Sequence, residues 1–121
     1  MKKNIKDKQE NSLSANSTQF TGKENHFISL ELASELTKAY RENHPLQTKA
    51  EFFGKDAILA ILSQPGCVGI RIYYGQEPGN GQKHLIIVGA EQNQNDMYTG
   101  YIAERGKPCP SYCGIKNLLN S

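Results

Sequence analysis

Two cysteines near the end of the chain form a local cluster that could carry redox or metal chemistry. Cys109 and Cys113 are four positions apart, and Pro108 and Pro110 stiffen the backbone around them. The run Cys-Pro-Ser-Tyr-Cys has one residue more between its thiols than the C-x-x-C pairs of redox enzymes and zinc ribbons. The spacing therefore leaves three interpretations open, namely an inert or structural pair, a reversible disulfide and a metal site.

A metal site would need further ligands, and the predicted topology decides which residues are within reach. Cys67 begins the first predicted strand, at the opposite end of the sheet from the pair, and eight strand residues span about 25 Å. We therefore expect Cys67 to be a small buried hydrophobic residue. His84 begins the second predicted strand at the same end as the pair, so a zinc site of Cys109, Cys113 and His84 is geometrically possible. Glu77 or water would supply its fourth ligand.

The composition divides the chain into a polar tail and one domain. Residues 1–25 are rich in Lys, Asn, Ser, Gln and Glu without a hydrophobic period, which predicts a disordered tail. Residues 26–121 suffice for a single domain. The tail holds five lysines against three acidic residues, whereas the domain holds nine basic and nine acidic residues. A neutral domain disfavours nucleic acid as a partner, because nucleic-acid binders concentrate positive charge on the folded surface.

Nothing in the sequence marks export or a membrane span. Two lysines follow Met1, as in a secretory signal, but the apolar segment of such a signal does not follow. The uninterrupted apolar runs are far shorter than the roughly 20 residues that cross a bilayer. Three cysteines, an odd number, fit a reducing compartment better than a disulfide framework. We therefore expect a cytoplasmic protein without a membrane partner.

Two helices are predicted before the strands. The first spans residues 29–43, because Ser29 is a suitable N-cap and Pro45 prevents the helix from continuing. Its apolar stripe follows a 3.6-residue period and consists of Leu32, Ala33, Leu36, Ala39 and Tyr40. The second helix spans residues 55–63 and ends before a Pro-Gly pair. Its buried side consists of Ile58, Ile61 and Leu62.

A change to a two-residue period predicts a β-hairpin. Residues 67–74 and 84–89 form its strands, and Asn80-Gly81 is the preferred pair for a two-residue type I′ turn. In that register Tyr74 faces Ile87. The expected core of helices and sheet consists of Val68, Ile70, Ile72, Leu85 and Ile87 with Leu32, Leu36, Ile58 and Leu62.

A third, less regular strand at residues 97–104 completes the predicted fold. The class is α+β, with two N-terminal helices packed on the apolar face of a three-stranded antiparallel meander. The second face of the sheet carries Arg71, Tyr73, Ile86 and Val88, which we predict to be a partner contact because a solvated face is usually polar. Its cover is the C-terminal segment, a second copy of the chain, or another protein.

Three segments together resemble a class of small bacterial proteins without a known activity. They are Gln-Pro-Gly-Cys-Val-Gly-Ile-Arg-Ile-Tyr-Tyr-Gly at residues 64–75, Leu-Ile-Ile-Val-Gly at 85–89 and Cys-Pro-Ser-Tyr-Cys at 109–113. The similarity covers residues 27–118. It implies no activity, cofactor or site residues.

The sequence favours a small bacterial binding or interaction protein without catalytic activity. No Ser/His/Asp set, carboxylate pair or HExxH motif stands out in the sequence. The alternative is a thiol-based redox or metal-binding protein that uses Cys109 and Cys113, with zinc as the metal. For the protein as a whole, the expected partner is another protein or a second copy of the chain.

Overall fold

The computed structural model describes residues 19–121, which form two helices and five strands. In chain order these are α1 (Leu30–Asn43), β1 (Ala50–Phe52), α2 (Lys55–Leu62), β2 (Cys67–Gln76), β3 (Lys83–Glu91), β4 (Ile102–Ala103) and β5 (Lys107–Cys109). The strands form a three-stranded sheet in the order β2-β3-β4 and a two-stranded sheet of β1 and β5, with antiparallel pairing throughout. The class is α+β. The prediction of one sheet is wrong, because β1 and β5 form a second sheet.

Both predicted helices are present with nearly the predicted bounds. The hydroxyl of Ser29 accepts the Leu32 amide at 3.1 Å, which satisfies one unpaired donor of the first turn of α1. The chain leaves the helix at His44, before Pro45. α2 begins after Gly54 and ends at Leu62. Within residues 19–121 no helix has the length and apolar character needed to cross a membrane.

The β2–β3 hairpin is confirmed, but its register differs from the prediction by two residues. Tyr74 faces Leu85 rather than Ile87. The ladder closes where the Glu77 amide donates to the Gln82 carbonyl at 2.8 Å, which leaves a four-residue loop from Pro78 to Gly81. The Asn80 side chain accepts the Gln82 amide at 2.9 Å, and the Gly81 amide donates to the Glu77 carbonyl at 3.1 Å, so local bonds favour the longer loop over the two-residue turn. Because the shift is even, the side chains from Gly69 to Gln76 keep their predicted faces, whereas the irregularity between Cys67 and Gly69 turns Cys67 to the face of Gly89.

The core is narrower than predicted and lies between α2 and β3. Ile61 of α2 is 1 % exposed, and the other buried hydrophobic residues are Ile87, Val88, Ala90 and Cys109. Gly89 allows α2 to approach, because a Cβ at that position would lie 3.0 Å from Nε2 of Gln64, just beyond the helix. Five residues predicted for the core are instead exposed, namely Leu32, Leu36, Leu62, Ile70 and Ile72.

The prediction that both helices cover the sheet is wrong for α1. No residue of α1 is buried. The helix lies instead against the C-terminal segment, where Nη1 of Arg41 donates to the Leu119 carbonyl at 2.7 Å. Leu36 and Tyr40 line a small cavity with Lys49 and Leu119. The residues around β1 and the C-terminus thus occupy the side of α1 that the prediction gave to the sheet.

Most of the predicted third strand is a turn. Only Ile102–Ala103 pairs as β4, with an isolated bridge between Ala90 and Asp96. The Gly100 amide donates to the Met97 carbonyl at 3.0 Å, and the Tyr101 amide donates to Oε1 of Gln64 at 2.9 Å. These bonds replace ladder bonds.

The predicted tail divides at residue 19. Residues 1–18 lie outside the described residues, whereas residues 19–25 lie against the sheet. The Phe20 amide donates to the Gln92 carbonyl at 2.8 Å, and the Arg71 guanidinium carbon lies 5.4 Å from the centroid of the Phe20 ring. Gly22 has a φ of +82°, which only glycine adopts readily, and the amides of Thr21 and Gly22 bind the Glu24 carboxylate.

Two substitutions separate the observed core from the predicted one. We expect Ile61→Ala to lower the free energy of unfolding by about 2–5 kcal/mol, because the side chain is enclosed and leaves a cavity. Ile70→Ala should cost only about 1–2 kcal/mol, because its side chain is 38 % exposed. Urea unfolding at low protein concentration measures both. A larger loss for Ile70→Ala would restore the predicted core.

Candidate functional site

Cys109 and Cys113 are joined by a disulfide. Their Cα atoms are 4.8 Å apart, within the usual range for this bond. Cys109 lies in β5 opposite Ala50 and is 4 % exposed, whereas Cys113 is exposed in the segment that follows. In this oxidised form neither sulfur is a thiolate that could bind zinc.

Hydrogen bonds from both sides hold the disulfide segment in place. The Lys49 amide donates to the Cys109 carbonyl at 2.9 Å and extends the β1–β5 pairing by one bond. The Tyr112 amide donates to the Pro108 carbonyl at 2.8 Å and closes a turn that overlaps the disulfide loop. Nζ of Lys107 lies 5.4 Å from the Tyr112 ring centroid, a cation–π contact at the surface. The disulfide therefore joins a buried cysteine on a fixed base, Cys109, to an exposed one, Cys113.

His84 contacts three carboxylates, those of Glu51, Glu77 and Glu104. Its Nε2 lies 3.0 Å from Oε2 of Glu77, the residue that the sequence offered as a fourth ligand. Its Nδ1 lies 3.9 Å from Oε2 of Glu51 and 3.8 Å from Oε2 of Glu104. Within residues 19–121 no group of three or more His, Cys, Asp or Glu side chains has a geometry that could hold a metal ion.

Glu51 was missed by sequence reasoning, although its side chain is the most enclosed of the three carboxylates, with 4 % exposed. It lies in β1 next to Ala50, and its Oε1 accepts the Leu85 amide at 3.1 Å. The carboxylate therefore connects the two-stranded sheet to β3. The His84 cluster lies beside a cavity of about 220 Å³ that Tyr40, Lys49 and Lys83 also line. Its contacts join separate segments, which is a structural role.

The predicted partner contact contains a second polar cluster. Nη1 of Arg71 lies 2.5 Å from Oδ1 of Asp96, and the Tyr73 hydroxyl donates to Oδ2 of the same carboxylate. The Tyr73 hydroxyl, and then Arg71, lower the pKa of Asp96, because both stabilise the charged carboxylate. The same hydrogen bond raises the pKa of Tyr73. Asp96 was missed because it stands in a polar run that indicated only a turn.

The four predicted contact residues differ in how much surface they offer. Tyr73 is 47 % exposed and Arg71 is half-buried. Ile86 is half-buried and Val88 is 4 % exposed in the single chain. Their role in partner contact stays a prediction, and the accessible part of that face is its β2 side.

Sequence reasoning also missed that the other face of β2, which carries Ile70, Ile72 and Tyr74, is exposed. Ile70, Ile72 and Tyr74 are 38 %, 47 % and 93 % exposed, and β2 is an edge strand in the order β2-β3-β4. The predicted meander already implied this edge position. It did not imply the exposure, because α1 was expected to cover these side chains.

The Asp96 cluster predicts a dependence of stability on pH. Since the folded pKa of Asp96 is lowered, its contribution is complete above the unfolded pKa of about 3.9 and is lost as pH falls through the folded pKa. We expect Asp96→Asn to be less stable than the original chain at pH 7, and the difference to shrink below about pH 4. Urea unfolding at several pH values measures it.

The matched control uses two tyrosines. Tyr73→Phe removes the hydroxyl bound to Asp96, whereas Tyr98→Phe changes a side chain that is 76 % exposed. Only Tyr73→Phe should reproduce part of the Asp96→Asn effect. Equal effects of the two would contradict the role of this cluster.

No family model, no curated protein and no solved structure matches the chain.

Proposed function

We propose that this protein is a small binding protein without catalytic activity and that β2 is its contact element. One observation carries the proposal: β2 runs for ten residues along the edge of its sheet with three large apolar side chains, Ile70, Ile72 and Tyr74, exposed on one face. Two of the residues predicted for partner contact, Arg71 and Tyr73, belong to the same strand.

The orientation of the β2 backbone follows from the bonds of β3. The Leu85 amide bonds to Glu51, and the Gly89 carbonyl accepts the Met97 amide at 2.8 Å, so odd-numbered residues of β3 point their backbone groups away from β2. The even-numbered residues of β3 therefore bond to β2, and Val88 is paired with Arg71. Alternation then directs the N–H and C=O groups of Ile70, Ile72 and Tyr74 to the outer edge.

Such an edge is unusual for a protein that acts alone. Natural sheets block exposed edges with lysines, prolines, bulges or covering segments, because unpaired backbone groups attract another strand. The irregularity of β2 lies at its start, between Cys67 and Gly69, and Arg71 pairs with Asp96 on the other face. Along Ile70–Tyr74 the edge has neither lysine nor proline. Addition of a strand by a protein partner is the binding mode that this edge fits.

The neutral charge of the domain supports a protein partner over nucleic acid. Basic and acidic residues are equal in number from residue 26 onward. A binder of nucleic acid would gain its affinity from concentrated positive charge. The proposed compartment is the cytoplasm.

Site-specific photocrosslinking tests this function. We expect p-benzoylphenylalanine at position 74 to form a covalent protein adduct when the purified chain is irradiated in an extract of its own cells. The same group at position 46 should not, although Leu46 is 97 % exposed, because Leu46 belongs to the turn after α1 and to no strand. Mass spectrometry identifies the adduct, which is either another protein or the chain itself. Equal labelling at the two positions would reject β2 as the contact element.

The disulfide favours a second candidate function, thiol–disulfide exchange. A thiolate from a dithiol reductant would attack the exposed Sγ of Cys113, the S–S bond would break, and Cys109 would leave as a thiolate. The reductant's second thiol would then release Cys113, so that both cysteines are reduced and the reductant is oxidised. In the cytoplasm disulfides are usually transient, which suits exchange better than a structural link.

Three cysteine variants test this candidate. We expect the chain to gain about 2 Da, two hydrogens, on treatment with a dithiol, because one disulfide becomes two thiols. Cys109→Ser should abolish this shift, whereas Cys67→Ser should retain it, since Cys67 is a free thiol in β2. Native mass spectrometry of the reduced chain with zinc tests the metal alternative in the same samples. An equal loss in Cys67→Ser would contradict the pairing.

A further inference from the structure

We propose that the partner of β2 is β2 of a second copy of this chain, paired antiparallel about a two-fold axis at Ile72. The two three-stranded sheets would then form one continuous six-stranded sheet. This inference rests on the proposed function, because it specifies which protein occupies the β2 edge.

The available length of the edge is set by the N-terminal segment. Gly22 lies against the carbonyl of Val68, since a Cβ on Gly22 would be 2.8 Å from that oxygen. Val68 is even-numbered, so its contact with Gly22 agrees with an outward-pointing carbonyl. The pairing segment therefore begins at Ile70 and extends to Tyr74, five residues, which is a common strand length.

Symmetry restricts the register. A hydrogen-bonded pair joins two residues that both point their backbone groups outward, so Ile70, Ile72 and Tyr74 must face one another across the axis. With the axis at Ile72, each Ile72 faces its own copy and Ile70 faces Tyr74 of the second copy. All of these pairs join apolar side chains, and an aliphatic side chain beside an aromatic ring is a favourable cross-strand pair.

The opposite face of the strand favours the same register. It places Arg71 opposite Tyr73 of the second copy, where the guanidinium can lie against an aromatic ring. Shifting the axis to Arg71 would place two arginines directly opposite each other, and facing like charges destabilise a strand pair.

Self-complementarity is the reason to choose a second copy over another protein. A two-fold contact requires one surface to match itself, and most homo-oligomers of soluble proteins use such contacts. The segment Ile-Arg-Ile-Tyr-Tyr meets this requirement. Apolar residues face apolar residues on one side of the strand, arginine faces tyrosine on the other side, and the outward backbone groups of the two copies meet each other. An unrelated partner would give no reason for this internal match.

Sedimentation of the full chain tests the inference. We expect a dimer at concentrations of tens of micromolar, and we expect Tyr74→Lys and Ile72→Lys to raise its dissociation constant on the order of 100-fold. Ile72→Lys places two lysines opposite each other, and Tyr74→Lys places a charge against the apolar Ile70 of the second copy. Tyr74→Lys should not affect folding, because Tyr74 is 93 % exposed. Leu46→Lys, at a position 97 % exposed, is the matched control and should leave the dimer unchanged.

Cysteine crosslinking tests the register. In a Cys67→Ser background, Ile72→Cys should form a disulfide-linked dimer on mild oxidation, because facing Cα atoms of a hydrogen-bonded pair are about 5.5 Å apart. Ile70→Cys should crosslink far more slowly, since Ile70 faces Tyr74. Faster crosslinking through Ile70 would overturn the register.

The two proposals fail in different ways. A chain that sediments as a monomer, or a dimer that tolerates both lysine substitutions, overturns the inference. If position 74 nevertheless crosslinks to a different protein, the proposed function stands. If position 74 forms no adduct with any protein, the proposed function fails as well.

Discussion

The antiparallel ladder between β2 and β3 is the interaction on which the rest of the structure depends. It pairs nearly all of both strands, and its register decides which residues share each face. Gly89 thereby lies beneath Gln64, so the end of α2 approaches the sheet and Ile61 is enclosed. The same register places Arg71 and Tyr73 within reach of Asp96. A change of one residue would exchange the two faces and remove all of these contacts.

The second sheet depends on this ladder through one buried carboxylate. Glu51 bonds to the amide of Leu85, and its strand pairs with β5, which carries Cys109. The disulfide is thus connected to the hairpin by a short chain of contacts, while Cys113 stays at the surface. This arrangement gives the thiol pair a fixed base and an accessible sulfur, which is what exchange with an external dithiol requires.

The open edge of β2 and the uncovered α1 have the same cause. The end of the apolar stripe of α1, at Leu36 and Tyr40, lies against Leu119 and Lys49, and no residue of α1 is buried against the sheet. One face of β2 is consequently left with three exposed apolar side chains beside a row of outward-pointing backbone groups. Polar backbone groups and apolar side chains are satisfied together when another strand is added, since the strand supplies hydrogen bonds and side-chain contacts at once. The interaction hypothesis therefore follows from how the helices pack.

The sequence by itself determined the local features of this protein. Ser29 and Pro45 bound the first helix, the two-residue period predicted β2 and β3, and the even register shift left residues 69–76 of β2 on their predicted faces. It also identified Cys109 and Cys113 as a pair, but spacing alone left open whether they are oxidised. These features depend on neighbours in the chain, which the sequence displays directly.

The tertiary structure decided every feature that joins distant residues. The pairing of three-residue β1 with β5 has no periodic signal, because so short a strand cannot show alternation. The contacts of Asp96 with Arg71 and of Glu51 with His84 join positions that no local pattern relates. Whether α1 packs on the sheet decides whether Ile72 belongs to the core or to the surface. This depends on which of several apolar surfaces pack against one another. Only the complete packing of the chain settles that question.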